Sequence, residues 1–129
     1  MCGRFSLTAS GEELAEAFGL EEPPPLSPRY NIAPSQPVLA VRALEGRRRA
    51  DLLRWGLAGP DPDHAGLLVN ARSETAATRQ AFREAYRGRR CLIPASGFYE
   101  WKRGREGPQP FHFRRRDGRP LAFAGLWSP

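Results

Sequence analysis

Two kinds of apolar spacing occur near the start of the chain. Residues 4–8, RFSLT, alternate between polar and apolar side chains and predict a short strand. The segment SGEELAEAFGL predicts a helix that begins at Ser10, which forms a capping box with Glu13, and ends at Gly19. The predicted apolar face of this helix consists of Leu14, Ala17 and Phe18.

The segment 21–37, EEPPPLSPRYNIAPSQP, is too rich in proline for regular structure in its middle. Five prolines occur up to Pro34 and Pro37 follows, which excludes a helix or a central strand. A disordered linker and a rigid surface loop are both compatible with that composition. Tyr30 and Ile32 favour the ordered loop.

Apolar runs predict strands over much of the remaining chain. VLAVRAL and ADLLRWGL form a predicted hairpin around a turn at Glu45–Gly46, and LLVNA predicts a short buried strand. Four more strands are predicted towards the end of the sequence, with RDG as the turn between the last two. These strands are RCLIP, GFYEWKR, FHFRR and PLAFAGLW.

A second helix is predicted over SETAATRQAFREAYRG, with Gly88 as its stop. Its predicted inward face consists of Ala81, Phe82, Ala85 and Tyr86. The sequence has no repeat and no convincing domain boundary, so we expect a single domain over residues 1–129. Strands with two short helices and no βαβ alternation predict an α+β fold, with a mostly antiparallel sheet or a partly closed barrel.

The composition is typical of a soluble globular domain. The chain has 129 residues, of which 40% are hydrophobic and 26% charged, enough for one core. No apolar run approaches the ~20 residues of a membrane span, and the N-terminus has no signal-peptide stretch. We therefore expect a cytoplasmic monomer with no membrane partner.

Cysteine and histidine are too sparse for a disulfide framework or a structural zinc site. Cys2 and Cys91 are the two cysteines, and His64 and His112 are isolated. We expect Cys91 to be a small buried apolar residue, and we expect neither a metal nor another cofactor.

The chain carries a formal charge of +6, and Lys102 is the one lysine among its 20 basic residues. Arginine binds phosphate through its planar fork and stacks on bases, so this bias is compatible with a nucleic-acid partner. A GC-rich genome would produce the same bias without any such partner.

Cys2 follows the initiator methionine, and its small side chain is compatible with removal of Met1. The new terminus would carry an amine and a thiol on adjacent carbons. An α-amine has a pKa of ~7.7–8.0, so part of it is unprotonated at neutral pH and ready to attack a carbonyl. The adjacent thiol can then close a thiazolidine ring, which suits capture of an aldehyde. The alternative is a nucleophile that attacks an amide.

Two further segments and four aromatic residues are candidates for the site. Glu100 lies among aromatic residues in GFYEWK, where partial desolvation favours a general acid or base, although a strand ion pair is the simpler explanation. Asn70 and Arg72 share one side of an extended NARSET segment, as in a nucleotide site, although NARSET also suits a helix start. Aromatic residues that stack on bases or belong to the core are Tyr30, Trp55, Phe98 and Trp101.

The segments MCGRF, RYNIAP, WGL, NARSET, CLIPASGFYEWK and FAGLW together resemble the SOS-response-associated peptidase (SRAP) family. Members of that family protect abasic sites in single-stranded DNA. The resemblance implies a β-rich, barrel-like α+β domain with a positively charged DNA groove. It also implies that Cys2 forms a thiazolidine crosslink with the ring-opened sugar, that Asn70 orients this sugar, and that Glu100 transfers protons. The implied DNA-groove positions are Arg4, Arg29, Asn31, Trp55 and Arg72.

The family pattern includes a catalytic histidine beyond the strand that ends here at Trp127, and no residue of this chain matches it. His112 lies in a segment that corresponds to a different strand. We therefore expect the N-terminal and central part of an SRAP domain, with impaired crosslinking. The alternatives are a cysteine peptidase that uses Cys2, perhaps on itself, and a non-covalent single-strand binder. We expect the protein to associate with the nucleoid when it is bound to DNA.

Overall fold

A computed structural model describes residues 2–59 and 66–129 of the protein. The helices are α1 (Gly11–Phe18) and α2 (Arg83–Gly88). The strands are β1 (Phe5–Leu7), β2 (Arg29–Ile32), β3 (Pro37–Leu44), β4 (Arg47–Arg54), β5 (Leu57–Ala58), β6 (Leu67–Leu68), β7 (Arg90–Ala95), β8 (Gly97–Gly104), β9 (Gly107–Phe113) and β10 (Leu121–Leu126).

The strands form two four-stranded sheets and one small ribbon, and their pairing is antiparallel. The first sheet has the order β2-β1-β8-β9 and the second the order β10-β7-β3-β4, while β5 and β6 pair with each other. The α+β class with mostly antiparallel sheets is confirmed. Among the described residues the sheets stay open and do not close into a barrel.

The core lies between the two large sheets and α1. Phe123 of the second sheet contacts two rings of the first sheet, with centroid distances of 5.5 Å to Phe5 and 5.9 Å to Phe98. The buried residues of the main cluster are Phe5, Leu7, Leu14, Phe18, Ile32, Val38, Leu39, Val41 and Ala95. The two sheets therefore share one core.

Helix α1 has the predicted caps. The Ser10 Oγ accepts a hydrogen bond from the Glu13 N–H at 3.1 Å, and Gly19 ends the helix with φ +64°. Leu14 and Phe18 are buried as predicted. The prediction that Ala17 faces the core is wrong, because this short helix packs through the i, i+4 pair and leaves Ala17 exposed.

The proline-rich segment is ordered, but it is more regular than predicted. Arg29–Ile32 forms β2, an edge strand that pairs with β1. An edge position agrees with the exclusion of a central strand. The Arg29 guanidinium donates to the Pro37 carbonyl and, at 2.9 Å, to the Gln36 Oε1, so it holds the turn that follows β2.

The β3–β4 hairpin is confirmed, with its turn at Glu45–Gly46. Both turn residues have positive φ, +51° and +76°, as a two-residue turn between twisted strands requires. LLVNA is less regular than predicted, because within it only Leu67–Leu68 is a strand. Both residues are half-buried, and among the described strands they pair with β5 alone.

The second helix is much shorter than predicted, since residues 73–82 form successive turns before α2. Hydroxyl side chains compete for the backbone there: the Thr78 Oγ1 donates to the Thr75 carbonyl at 3.2 Å. Phe82 and Ala85 are buried as predicted, but Tyr86 is 41% exposed, so its predicted inward position is wrong. The helix has too few turns to bury a wider face.

The four C-terminal strands are confirmed as β7 to β10, with β9 ending at Phe113, before the two arginines of FHFRR. The turn at RDG is also confirmed, with a hydrogen bond from the Gly118 N–H to the Arg115 carbonyl at 3.2 Å. Within the described residues, no helix is long and apolar enough to cross a membrane.

Replacing Gly97 by alanine should destabilise the first sheet. A Cβ at Gly97 would collide with the His112 ring and would lie 2.6 Å from the Phe113 carbonyl oxygen, and backbone can move little within a paired strand. We expect Gly97→Ala to lower the free energy of unfolding by about 2 kcal/mol or more in urea titrations. Gly104→Ala is the matched control, because its Cβ would meet the Gly107 oxygen at an ordinary 3.4 Å. Equal effects of the two changes would contradict the packing described here.

Candidate active site

Cys2 lies just before β1, which is an inner strand of the first sheet. Its side chain is half-buried, and its Sγ donates to the carbonyl of Arg4 at 3.3 Å. Strand β1 is paired on both sides, with β2 and with β8. The residue therefore has a defined position, unlike most residues near a chain end.

Asn70 reaches Cys2 from a distant part of the sequence. It follows β6, and its Nδ2 donates to the main-chain carbonyl of Cys2 at 2.8 Å. The preceding residue, Val69, accepts a hydrogen bond from the Trp55 indole N–H at 2.8 Å. Trp55 in turn packs edge-on against Phe5, with ring centroids 5.3 Å apart. These contacts fix Asn70 against the start of β1.

Glu100 approaches Cys2 from β8. Side chains alternate along a strand, so Glu100 shares a face with Phe98, which packs towards the second sheet through Phe123. Its side chain is half-buried, in agreement with the predicted partial desolvation. The structure thus brings Cys2, Asn70 and Glu100 together from three separate segments.

The surroundings of Cys2 favour the neutral thiol. Burial raises the pKa of the Cys2 thiol above its ordinary value, a backbone hydrogen bond at Arg4 opposes that effect, and the negative charge of Glu100 raises the pKa further. The thiol is therefore protonated at neutral pH, and any reaction at sulfur must move a proton.

Of the predicted DNA-groove residues, Arg4 and Arg72 lie close to the site residues along the chain, and Asn31 is bonded to Arg4. Arg4 is two residues from Cys2, and its Nη1 donates to the Oδ1 of Asn31, an exposed residue of β2, at 3.1 Å. Arg72 is exposed and lies two residues from Asn70. These three polar side chains stay candidates for contacts with a nucleic acid.

The other two predicted groove residues have different surroundings. Trp55 is half-buried and packs against the core, so it is not an exposed stacking platform. Arg29 lines a cavity of about 290 Å³, and neither Cys2 nor Asn70 is among the described residues of its wall. Its guanidinium holds the turn after β2, as described above. A DNA contact by either residue stays a prediction.

The remaining candidates also have defined positions. Tyr30 and Trp101 are 68% and 46% exposed and remain available for stacking, whereas Phe98 belongs to the core. Cys91 is buried as predicted, and burial raises the pKa of its thiol. His64 lies outside the described residues. Across residues 2–59 and 66–129, no cluster of potential metal ligands occurs.

The contacts of two further residues of the first sheet were not found from the sequence. Tyr99 donates its main-chain N–H to the Arg4 carbonyl at 2.9 Å and its hydroxyl to the Tyr30 carbonyl at 2.7 Å, so it ties β1 and β2 to β8. His112 lies 2.9 Å from the Ser6 Oγ, between Nε2 and oxygen, on the opposite face of β9 from the partner of Glu100. The alternation of side chains within GFYEWK and FHF predicts which residues share a face of each strand. It does not predict which distant strands pair with each other.

A sequence model described as SOS response associated peptidase (SRAP) matches residues 1–129. The chain belongs to this family. Among its relatives, the "abasic site processing protein YoaM" of Bacillus subtilis is 37% identical over 99% of this chain and 60% of its own length. For the "abasic site processing protein YedK" of Escherichia coli the values are 36%, 99% and 60%. The mouse "abasic site processing protein HMCES" is 33% identical over 86% of this chain and 40% of its own length.

Solved structures agree with the fold. A protein from Bordetella bronchiseptica has a TM-score of 0.81 and 31% identity, over 98% of this chain and 64% of its own. A phage-related protein from the same organism has a TM-score of 0.81 and 30% identity, over 97% and 60%. The chain therefore spans about 60% of the length of these bacterial relatives and solved structures.

The protonation of Cys2 can be tested by alkylation. In a Cys91→Ala background, iodoacetamide labels Cys2 alone, and its rate follows the thiolate fraction. Because burial and the Glu100 charge disfavour the thiolate, we expect the midpoint of the rate against pH to lie above 9.0, the ordinary thiol value. Glu100→Gln should lower this midpoint, whereas Glu106→Gln, in the exposed β8–β9 turn, should leave it unchanged. If the midpoint is the same in Glu100→Gln as in the parent, the charge of Glu100 does not affect the Cys2 thiol, which would contradict the proximity of the two residues.

Proposed function

We propose that this chain captures abasic sites in single-stranded DNA through a covalent bond to Cys2, after Met1 has been removed. The observation that carries the proposal is the convergence on Cys2 of the Asn70 amide, at 2.8 Å from the Cys2 carbonyl, and of the charge of Glu100. Relatives that carry the name abasic site processing protein support the choice of an abasic sugar as substrate.

The proposed reaction begins with the free α-amine of Cys2. The amine nitrogen adds to the aldehyde carbon of the ring-opened sugar, and loss of water leaves an imine. The Cys2 sulfur then adds to the imine carbon, and the proton of the thiol ends on the nitrogen. One carbon–nitrogen bond and one carbon–sulfur bond form, one water leaves, and no oxidant is needed.

Glu100 supplies the proton transfers in this scheme. Burial and the negative charge of Glu100 raise the pKa of the Cys2 thiol and favour its neutral form, so sulfur adds to the imine as its proton leaves. A carboxylate close to the thiol accepts that proton and returns it to nitrogen, as general acid–base catalysis requires. During the earlier addition step the same carboxylate takes a proton from the amine nitrogen and, as the carboxylic acid, passes it to the oxygen that departs as water.

Asn70 holds the reacting terminus in place. Its Nδ2 donates to the carbonyl of Cys2, so the amine and thiol of that residue keep one orientation. In this scheme the amide oxygen of Asn70 accepts a hydrogen bond from a hydroxyl of the opened sugar. Fixing both reactants in this way replaces a random encounter by an oriented one.

The DNA strand is held by the polar side chains around the site. Arg4 and Arg72 lie two residues from Cys2 and Asn70, Asn31 is bonded to Arg4, and the formal charge of +6 favours a polyanion. Contacts of this type are salt-dependent, because binding releases counterions from the DNA.

A cysteine peptidase is the less supported alternative. A nucleophilic thiol needs a base beside it, and in the described part of the chain the available histidine is His112. Its ring is bonded to Ser6 and lies on the other face of β9 from the partner of Glu100. The arrangement around Cys2 therefore suits carbonyl capture better than amide hydrolysis.

Crosslinking to an oligonucleotide with one abasic site tests the proposal. We expect the Met-free chain, verified by mass spectrometry, to form a band that survives denaturing electrophoresis. Cys2→Ser should abolish this band, and Glu100→Gln should slow its formation about 10²-fold, the usual contribution of a general acid or base. Glu106→Gln, an exposed carboxylate change in the β8–β9 turn, is the matched control and should react like the parent chain.

Two other results would replace the proposal. Salt-sensitive binding without a covalent band, and without preference for the abasic site, would show a non-covalent single-strand binder. Cleavage of a protein substrate that is lost in Cys2→Ser, again without a band, would show a peptidase.

A further inference from the structure

The turn between β2 and β3 depends on one side chain. The Gln36 N–H closes the turn on the Ala33 carbonyl at 3.2 Å. The Gln36 Oε1 accepts hydrogen bonds from the Ala33 N–H at 3.0 Å and from the Arg29 Nη2 at 2.9 Å. Pro34 is followed by Ser35 with φ +72°, as in a type II turn, where glycine normally occupies the second of these positions. The left-handed conformation is unfavourable for serine, so the turn needs these bonds to keep its shape.

This turn is bonded to Trp55 in both directions. The Ser35 N–H donates to the Trp55 carbonyl at 2.9 Å, and the Trp55 N–H donates to the Gln36 carbonyl at 3.0 Å. The indole N–H of Trp55 donates to the carbonyl of Val69, directly before Asn70. The turn is therefore connected to Asn70 through Trp55 and Val69.

The small β5–β6 ribbon does not by itself set the orientation of Trp55. It consists of two residue pairs, and so short a ribbon has little stability of its own. Gly56, with φ +124°, separates Trp55 from the ribbon, and glycine restricts the chain least of all residues. The bonds from the turn and the packing against Phe5 therefore orient the indole.

We propose that Gln36 is a positioning residue for the Cys2 site. Its side-chain oxygen stabilises the turn, the turn holds Trp55, and the indole N–H of Trp55 holds the segment that carries Asn70. Arg29 takes part because its guanidinium shares the same oxygen. The inference rests on the proposed function, because Gln36 affects the reaction through the bond from Asn70 to Cys2.

Replacing Gln36 by methionine, which has a similar length and no oxygen, tests the inference in the Met-free chain. A hydrogen bond contributes about fivefold to an equilibrium, and this change removes two, so we expect the crosslinking rate at saturating abasic oligonucleotide to fall about tenfold. The affinity for an undamaged oligonucleotide should stay nearly unchanged. Gln36→Glu keeps an acceptor oxygen and should react like the parent chain. Gln109→Met, exposed on β9, is the matched control.

A second substitution separates this role from a general loss of stability. Glycine adopts a positive φ without strain, so Ser35→Gly should make the turn independent of the Gln36 oxygen. The double variant Ser35→Gly/Gln36→Met should therefore recover most of the lost rate. Glu45→Gly relieves the same kind of strain at the far end of β3, where φ is +51°, and should not restore the rate of Gln36→Met.

The indole N–H of Trp55 gives a readout that needs no DNA. In a chain with isotope-labelled tryptophan, its nuclear magnetic resonance signal is assigned with Trp55→Phe, and its hydrogen exchange reports on the bond to Val69. We expect this exchange to be about tenfold faster in Gln36→Met than in the parent chain. The signals of Trp101 and Trp127 should not change.

The two readouts distinguish failure of this inference from failure of the proposed function. Unchanged exchange in Gln36→Met, or faster exchange with an unchanged crosslinking rate, would overturn the inference alone. Unfolding of Gln36→Met would also overturn it, because Gln36 would then stabilise the whole fold and not the site. Absence of a crosslink in the parent chain, with indole exchange that responds to Gln36, would overturn the proposed function and support the structural link to Trp55.

Discussion

The site depends on the hydrogen bond between the Asn70 Nδ2 and the Cys2 carbonyl, 2.8 Å long and spanning 68 positions of the sequence. A residue at the start of a chain is normally frayed, because nothing opposes its conformational entropy. Here one side-chain donor from the segment after β6 fixes its main chain. A reactive amine and thiol can act as a catalytic group only if that restraint holds while the substrate is bound.

The packing of the two large sheets makes this restraint possible. Phe5, three residues after Cys2, contacts Trp55 on one side and Phe123 on another, with ring centroids 5.3 Å and 5.5 Å apart. Trp55 then donates to Val69, directly before Asn70. The same aromatic core includes Phe98, two residues before Glu100. Aromatic packing therefore helps to orient the three polar residues.

Local chemistry determined which parts could be predicted from the sequence. The caps of α1 and the Glu45–Gly46 turn follow from residue types within a few positions, and both were predicted correctly. The second helix was not, because the balance between turns and helix over 73–82 depends on hydroxyl groups that bond to the backbone in either state. Ala17 and Tyr86 were misplaced because a helical period gives a direction but not the width of the buried face.

The candidate site was predictable residue by residue but not as an arrangement. Residue types alone indicated Cys2, Asn70 and Glu100, and the resemblance gave them roles. The strand pairing that brings β8 beside β1 depends on contacts between residues far apart in the sequence, and no local pattern predicts such contacts. The bonds that hold Arg29 to the turn after β2 are local, but this irregular segment has no periodic pattern that predicts them, so they were found only in the structure.

The central claim is that the fold, and not the terminal residue alone, makes Cys2 an efficient trap for an abasic sugar. The most direct measurement compares the crosslinking rates of the Met-free chain and the tetrapeptide Cys-Gly-Arg-Phe with one abasic oligonucleotide at equal concentration. Orientation by Asn70 and proton transfer by Glu100 predict a rate at least about 10²-fold higher for the folded chain. Equal rates would contradict the account, because the structure around Cys2 would then contribute nothing to the reaction.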